Sequence, residues 1–407
     1  MTSLFPKSLS LAALVALALA PAAASAQSRG AVRAKEVSVS TDRNDARNVS
    51  VEGDADLVGW ATKALNAHGA FDVRSGAPLK IRFTKAGTNS VAVTFSGSES
   101  WSATANGPGT LGALWAAVDA AIVEAGKKYA VKPLFARTKV AFVREMGANR
   151  SEIFMGDLLL PKITPLTGHG SVVLSPQWSP DGRSVYYTSR HKSGANDVFR
   201  VNVGGGSSPV ATFKGTNTGG AVSPDGSRIA LSLSPNRSCD IYVASASGAN
   251  PRAIVASEDV EISPCWSPDG TRIAYTGGPS GKPGIFLVSA TGGATRRVST
   301  GGYASEPAWN PVNTNQIAYT RGDCAGIGVA DLAGPSLSVP FDPKGTPIRV
   351  EVSNPSWCAD GRHLLVTVGA KTKRGMKIAL LDTRSGKLTT LSEGLGNCSE
   401  PAALVVR

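Results

Sequence analysis

The stretch Trp178-Ser-Pro-Asp-Gly182 recurs along the second half of the chain and decides its fold. Related stretches begin at Val222 (VSPDG), Trp266 (WSPDG), Trp309 (WNPVN) and Trp357 (WCADG). The successive spacings are 44, 44, 43 and 48 residues, a period that suits one four-stranded blade of a β-propeller. The repeat therefore predicts an all-β propeller over residues 138–407.

Each repeat carries its own turn chemistry between short alternating strands. Proline presets the first turn position, aspartate bonds back to the turn backbone, and glycine accepts the positive φ that closes the hairpin. The recurring aspartates are Asp181, Asp225, Asp269 and Asp360. Because they recur at one turn position, we expect structural residues here, not catalytic or calcium-binding acids. The repeated tryptophan is expected to pack one blade against the next.

The two ends of the repeat array predict how the ring closes. The first unit has strand-like segments at 139–144, 152–157 and 163–167 but lacks an innermost strand. The C-terminal segment 399–406 (SEPAALVV) copies the opening of a unit, and Ala403 falls 46 residues after Trp357. The last strand should therefore complete the first blade. That gives six blades and removes the free sheet edges of an open array.

The first 26 residues have the pattern of a cleavable signal peptide. Lys7 precedes an apolar run over 9–20, and Ala24-Ser-Ala26 offers small residues before a cleavage at Gln27. The apolar run is too short to span a bilayer comfortably, and no later segment has the roughly 20 apolar residues of a spanning helix. We therefore expect export and no membrane span.

The region between the signal peptide and the propeller lacks the repeat. Residues 27–50 are polar and aperiodic, which predicts a flexible arm. Residues 51–137 combine helical periodicity at 56–66 and 110–125 with strand-like alternation at 79–83 and 90–95. The fold class is thus an all-β six-bladed β-propeller preceded by a small α/β domain, with a linker at 132–137.

The charge and the cysteine content limit the possible functions further. The formal net charge is +12, or +11 once Lys7 leaves with the signal peptide (12 − 1). Export and the lack of interleaved aromatic and basic residues argue against nucleic acid, and favour acidic partners or an anionic envelope surface. The five cysteines form no CxxC pair, so no metal or other cofactor is predicted. An odd count leaves one thiol unpaired within a chain, and spacing does not give the pairing.

These features together resemble the TolB family of the Tol-Pal envelope system. The resemblance covers about 138–407, including the broken first blade and the closing strand. It is weaker in the N-terminal domain, where 66–72 (NAHGAFD) resembles a stretch at the end of a family helix. The resemblance implies a periplasmic, monomeric, non-enzymatic protein that supports envelope integrity and cell division.

The same resemblance implies partners and a site. The family's propeller binds the lipoprotein Pal, and its N-terminal arm binds the inner-membrane protein TolA; here 31–39 loosely resembles the arm's binding segment. We therefore expect a Pal-like lipoprotein and a TolA-like protein as partners. The Pal surface would lie at one mouth of the propeller, in loops leading into the innermost strands. The corresponding positions are Ser175, Thr216, Gly219, Ile262, Ser263, Ser305, Glu306, Asn354 and Glu400. Thr216, Gly219, Ile262 and Ser263 match the family's contacts best.

Two other functions stay open on the sequence alone. An exported propeller of this type could bind another envelope protein or a glycan, because a fold does not fix a function. Similar repeats also occur in propeller hydrolases and lyases. The sequence has no GxSxG nucleophile motif, however, and the 111 residues before the propeller are too few for an α/β-hydrolase domain. Histidines are scarce, being His68, His169, His191 and His363, and neither His191 nor His363 has an evident Ser or Asp partner in sequence. No catalytic residue is therefore predicted.

Overall fold

A computed structural model describes residues 37–38, 46–235, 238–279, 282–299, 302–322, 326–334, 337–338, 350–370 and 375–405. Within these ranges the first part of the chain is a small α/β domain. The first described strand is β1 (Val37–Ser38), and the elements of the domain are β2 (Arg47–Gly53), α1 (Ala55–Ala67), β3 (Phe71–Val73), β4 (Leu79–Gly87), β5 (Ser90–Gly97), β6 (Trp101–Asn106), α2 (Gly109–Ala125) and a short 3-10 helix (Lys127–Tyr129). The sheet order is β3-β2-β4-β5-β6. Leu79, Ile81 and Phe83 of β4 are buried between exposed neighbours, so the sheet has one covered face, against which both helices pack.

One boundary predicted from the sequence needs correction. The expected arm over 27–50 overlaps β2, which starts at Arg47 and buries Val49 completely. Valine fits this position because β2 is an interior strand of the sheet, paired in parallel with both β3 and β4. The α/β domain therefore begins before residue 51. Of the expected arm before β2, Val37–Ser38 and Ala46 are described, and the expected signal peptide lies outside the described residues.

The rest of the chain forms a six-bladed propeller, as the repeat predicted. The strands are β7 (Thr138–Gly147), β8 (Arg150–Asp157), β9 (Ile163–Pro165), β10 (Val173–Trp178), β11 (Ser184–Ser189), β12 (Asp197–Asn202), β13 (Ser207–Ala211), β14 (Asn217–Val222), β15 (Arg228–Leu233), β16 (Asp240–Ser245), β17 (Arg252–Val255), β18 (Ile262–Trp266), β19 (Arg272–Gly277), β20 (Gly284–Ser289), β21 (Arg296–Arg297), β22 (Ala304–Trp309), β23 (Gln316–Arg321), β24 (Gly326–Asp331), β25 (Leu337–Ser338), β26 (Val350–Trp357), β27 (His363–Ala370), β28 (Lys377–Asp382), β29 (Leu388–Thr390) and β30 (Cys398–Val405). Blades 2 to 6 each use four consecutive strands, from β10–β13 to β26–β29. Blade 5 also carries β1, which pairs in parallel with β25.

Blade 1 is assembled from both ends of the propeller sequence. Its order is β30-β7-β8-β9, and Ala402 of β30 lies opposite Ala141 of β7 in an antiparallel pairing. The C-terminal strand thus supplies the innermost strand that the first unit lacks. Closure in this way leaves each blade flanked by two others.

The repeated motif forms the turn between the two inner strands of a blade. The Asp181 carboxylate accepts hydrogen bonds from Ser179 Oγ (2.6 Å) and the Arg183 N–H (3.0 Å), and Asp225 and Asp269 repeat the pattern. These hydrogen bonds account for the recurring acids as turn residues. The tryptophans contact the preceding blade: Trp266 Nε1 donates to the Ala221 carbonyl at 2.8 Å.

The propeller has two distinct faces. The turn face carries the motif turns, and the mouth face, on the opposite side, is where the innermost strands begin. The α/β domain packs on the turn face beside blades 1 and 6, through one continuous apolar cluster that includes Leu114, Phe142 and Leu365. Asp119 of α2 fixes the linker there by accepting hydrogen bonds from the N–H groups of Leu134, Phe135 and Ala136, each at 2.8 Å.

Cys239, Cys358 and Cys398 are buried free thiols and Cys265 is a half-buried one, while Cys324 lies outside the described residues. Among the helices that the structure describes, none combines the length and the apolar character needed to cross a bilayer.

Candidate binding site at the propeller mouth

Six residues, one from each blade, form a ring around the central channel near the mouth face. Each stands three positions before the motif tryptophan or its equivalent: Ser175, Gly219, Ser263, Glu306, Asn354 and Glu400. All six have left-handed backbone, with φ between 50° and 90°. A non-glycine residue in this region costs roughly 1–2 kcal/mol, and such strain concentrates at functional sites.

A β-bulge in each innermost strand creates this conformation. In β18, for example, the pairing register with β19 shifts between Ile262 and Cys265, and the other five innermost strands shift at the equivalent place. Proline follows the left-handed residue in five of the six strands. Proline suits a bulge because it lacks the N–H that a regular ladder requires. The bulge turns the ring residues toward the channel.

Two glutamates give the ring its hydrogen-bonding pattern. The Glu306 carboxylate accepts from Thr320 Oγ1 (2.7 Å) and from the Asn354 N–H of the next blade (3.0 Å). The Glu400 carboxylate accepts from the Ser175 N–H, also of the next blade, at 2.6 Å. Blades 5, 6 and 1 therefore form an acidic side of the channel, whereas Ser175, Gly219 and Ser263 form a neutral side.

The environment of Glu400 shifts its ionisation. Burial in the narrow channel raises the pKa of Glu400 to about 7, with a smaller contribution from the negative charge of Glu306, against the opposing effect of the Ser175 N–H. The side chain still borders the channel, since the residue is half-buried and lines the cavity. Glu400 thus changes charge near neutral pH, where a bound cationic group would favour its ionised form.

The ring encloses a cavity of about 270 Å³ that opens along the channel. Ser175, Gly219, Ser263, Glu306, Asn354 and Glu400 all line it. The sequence therefore identified six residues that the fold brings together. The other three lie elsewhere. Thr216 is at the rim, where its N–H donates to Ser234 Oγ at 2.9 Å. Ile262 and Ser305 lie one position before the ring, 6% and 3% exposed, and face the packing between strands.

Several further residues at this mouth were not predicted from the sequence. Gln177, two positions after Ser175, is exposed and lines the channel; the alternation of strand faces could have identified it. Phe213, 41% exposed, lies beside Thr216, and Met146, 48% exposed, lies at the end of β7 on the same face. Loop-borne exposed apolar residues have no periodic signal, so only the fold places them at the rim.

A stacked pair of histidines adds to the rim. The rings of His169 and His191 lie parallel with centroids 4.0 Å apart, and His169 Nε2 is 2.8 Å from the Tyr187 hydroxyl. Burial, and then the nearby His169, lowers the pKa of His191. The rim therefore carries aromatic side chains beside a polar channel.

The fold and this mouth define a six-bladed propeller with a small α/β domain on its turn face. Residues 130–402 match the PD40 family model, described as the TolB beta propeller domain. The chain belongs to this family, which confirms the resemblance found in the sequence.

Known relatives agree with this assignment. The chain is similar to the Tol-Pal system protein TolB of Anaeromyxobacter dehalogenans, 31% identical over 139 residues, which is 34% of this chain and 31% of the relative. It is 30% identical over 137 residues to the protein of the same name from Nitratidesulfovibrio vulgaris, covering 32% of this chain and 29% of the relative. The matches thus span about a third of each relative's length.

Solved structures show the same fold over more of the chain. The crystal structure of TolB from Acinetobacter baumannii superposes with a TM-score of 0.74, covering 88% of this chain and 96% of that one, at 17% sequence identity. The nidogen/laminin complex superposes with a TM-score of 0.53 over 66% of this chain, at 13% identity. At these identities the similarity concerns the fold alone.

Proposed function

We propose that this chain is an exported, non-enzymatic protein of a Tol-Pal-like envelope system, and that it binds a Pal-like lipoprotein through the mouth face. The observation that carries the proposal is the ring of six left-handed residues at the mouth. In five of the six blades it holds a non-glycine residue in this strained backbone conformation, at the position that lines the channel. Membership in the TolB propeller family supports the choice of partner.

The chemistry of the mouth suits a protein segment as its ligand. The ring offers hydroxyl, amide and carboxylate groups at its centre, and Phe213 and Met146 offer apolar surface at the rim. Protein interfaces combine such apolar anchors with a small number of oriented polar groups. A peptide loop that places a basic or amide group between Glu306 and Glu400 would complete their hydrogen bonds.

We further propose that the chain works in the periplasm after removal of residues 1–26, and that the arm before β2 binds a TolA-like protein. Through these contacts it would support envelope integrity and cell division. N-terminal sequencing of the protein recovered from a periplasmic extract tests the export step. A start at Gln27 is expected, and an uncleaved chain in the cytoplasm would contradict it.

The partner is tested with the mature protein, residues 27–407, and the Pal-like lipoprotein of the same organism without its lipid. Titration calorimetry should give saturable one-to-one binding. Ser263→Arg places a large cation in the ring on the neutral side and should weaken binding at least tenfold. Ser247→Arg is the matched control, because Ser247 is exposed at the turn between β16 and β17, on the turn face. Ile262→Arg is unsuitable, since a buried guanidinium would disturb the fold.

Three outcomes separate the alternatives. Loss of binding in Ser263→Arg, with binding retained in Ser247→Arg, supports the mouth as the Pal site. Equal weakening in both variants would show that the contact lies elsewhere. Binding of another envelope protein or of a glycan by the wild-type protein, with no affinity for the lipoprotein, would overturn the proposed partner and leave the fold assignment intact.

A further inference from the structure

A buried histidine pair joins the two domains on the turn face. His68 follows directly on the last residue of α1, and its partner His363 is the first residue of β27 in blade 6. Asp360 belongs to the motif turn that precedes β27. Both histidine side chains are completely buried, and Asp360 is nearly so. The two imidazole rings meet edge to face with centroids 4.6 Å apart.

His68 has buried polar atoms that the fold leaves unused. Within the part of the chain that the structure describes, neither Nδ1 nor Nε2 of His68 has a hydrogen-bond partner. Its ring packs edge to face against the rings of His363 and Phe71. Buried polar groups are normally paired because an unpaired one loses its hydration without compensation. This side chain therefore points to a ligand for its ring nitrogens.

His363 and Asp360 are oriented as metal ligands usually are. His363 Nε2 donates to the backbone carbonyl of His68 at 2.7 Å, which leaves Nδ1 facing the Asp360 carboxylate at 2.6 Å. The other carboxylate oxygen accepts from the N–H groups of Arg362 and His363, both at 3.1 Å. In metalloproteins, a ligating histidine typically donates its second N–H to a carbonyl, and a ligating carboxylate is itself held by hydrogen bonds.

We propose that His68, Asp360 and His363 bind a divalent transition-metal ion of the Zn²⁺ type, which pins the α/β domain to blade 6. One ligand atom from each residue lies within 4.8 Å of the other two, and two imidazoles with one carboxylate form a donor set that Zn²⁺ accepts. Ion binding displaces the proton that His363 Nδ1 shares with Asp360, so one proton leaves for each ion bound, and the two atoms move apart from 2.6 Å to reach Zn²⁺ bond lengths of about 2.0–2.2 Å. Asp360 also borders a cavity of about 510 Å³, from which water supplies the remaining coordination.

The blade 6 turn departs from the repeat at the positions that build this site. In three other blades a serine hydroxyl of the motif binds the turn aspartate, as Ser267 binds Asp269. Blade 6 has Cys358 at the serine position, so Asp360 lacks that partner and bonds to His363 instead. His363 itself stands where blades 3 and 4 have Arg228 and Arg272. Turn formation alone requires none of these changes.

The test uses the mature protein, stripped with a chelator, unfolded in guanidinium and refolded with or without one equivalent of Zn²⁺. Elemental analysis after desalting measures retained metal, and thermal unfolding measures its effect. Wild type should retain close to one ion and unfold at a higher temperature than the metal-free protein. His68→Phe should lose both effects, and it should still fold because the His68 ring makes no hydrogen bond and the carbonyl that accepts from His363 remains.

The chain offers a matched control in its two other histidines. His169→Gln with His191→Gln removes the stacked pair on the mouth face and should retain the ion and the thermal shift. Loss of the ion in this double variant would assign the metal to the surface pair and overturn the proposal. If wild type and His68→Phe retain the same amount of metal, the ion binds elsewhere, for example at the cysteines, and the proposal is overturned. No retained metal in wild type would also overturn it.

Discussion

Ser175 and Glu400 are 225 residues apart in the chain, yet the Ser175 N–H donates a 2.6 Å hydrogen bond to the Glu400 carboxylate. Glu400 lies in β30, the strand that completes blade 1, and Ser175 lies in β10 of blade 2. The bond therefore crosses the junction where the C-terminal strand enters the ring. The same contact recurs between Glu306 and the Asn354 N–H. At both junctions a glutamate carboxylate therefore connects one blade to the backbone of the next blade at the channel.

The first prediction concerns the pH dependence that Glu400 gives to stability. Its pKa is raised from the ordinary 4.5 to about 7 when the chain folds, mainly by burial. An acid with a raised folded pKa favours the folded state at low pH, and this contribution is lost as pH rises from about 4.5 through 7. Glu400→Gln keeps an oxygen acceptor for the Ser175 N–H but cannot ionise. The variant should therefore gain about 1–3 kcal/mol relative to wild type between pH 5 and pH 8.

Urea unfolding of both proteins at pH 5, 6, 7 and 8 measures this difference. Other groups titrate in both proteins alike, so the difference between their free energies of unfolding isolates Glu400. Glu258→Gln controls for the loss of one charge, because Glu258 is exposed in the loop before β18. A Glu400→Gln difference that stays constant over this range would show that Glu400 does not titrate there.

The second prediction concerns the motif tryptophan as a contact between blades. Trp266 is buried, its Nε1 donates to the Ala221 carbonyl of blade 3 at 2.8 Å, and the Arg228 guanidinium lies 4.7 Å from its ring centroid. Trp266→Phe keeps an aromatic ring but leaves that carbonyl unpaired. The free energy of unfolding should fall by about 1–3 kcal/mol. If urea unfolding shows that the free energy of unfolding decreases by less than about 0.5 kcal/mol, the indole hydrogen bond contributes little to the contact between the blades.

The third prediction concerns the linker between the domains. The Asp119 carboxylate is buried in α2 and is the acceptor for three consecutive linker N–H groups. Burial, opposed by these three hydrogen bonds, raises the pKa of Asp119 to about 6. Asp119→Ala leaves the N–H groups of Leu134 and Phe135 buried and unpaired, which should cost about 3 kcal/mol or more.

Loosening of the linker provides a second measurement on the same variant. Limited proteolysis followed by mass spectrometry should detect faster cleavage within 130–137 in Asp119→Ala than in wild type. Asp72→Ala is a suitable control, because the Asp72 carboxylate accepts hydrogen bonds from Arg74 at the surface. Equal cleavage in all three proteins would show that packing, and not the Asp119 carboxylate, fixes the linker.

The sequence could predict the blades because their information is local and repeated. A turn motif with a period near 44 residues marks each hairpin, and the copied SEP opening at Ser399 indicates where the last strand belongs. The residues of the candidate site could be predicted only in part. Sequence alternation does not show that a bulge shifts the register at Ser263 and leaves Ile262 facing the packing. Contacts such as that of His68 with His363 join residues 295 positions apart, and no local pattern encodes them.

The last prediction separates the turn face from the mouth face. Asp269 accepts from Ser267 Oγ at 2.5 Å and from the Thr271 N–H at 3.0 Å, and these hydrogen bonds lower its pKa to about 2. Asp269→Ala removes these hydrogen bonds and a third one from Thr271 Oγ1 (2.8 Å), and because the carboxylate is exposed the loss should be only about 1 kcal/mol at pH 7. An acid with a lowered folded pKa contributes stability above its unfolded pKa near 3.8, and this contribution disappears as pH falls through about 2. The difference in the free energy of unfolding between wild type and variant, measured with urea, should therefore shrink below pH 4.

The affinity of the Asp269→Ala variant for the partner should stay within twofold of wild type, because Asp269 lies on the face opposite the ring. A large loss of affinity without a matching loss of stability would move the binding site to the motif turns.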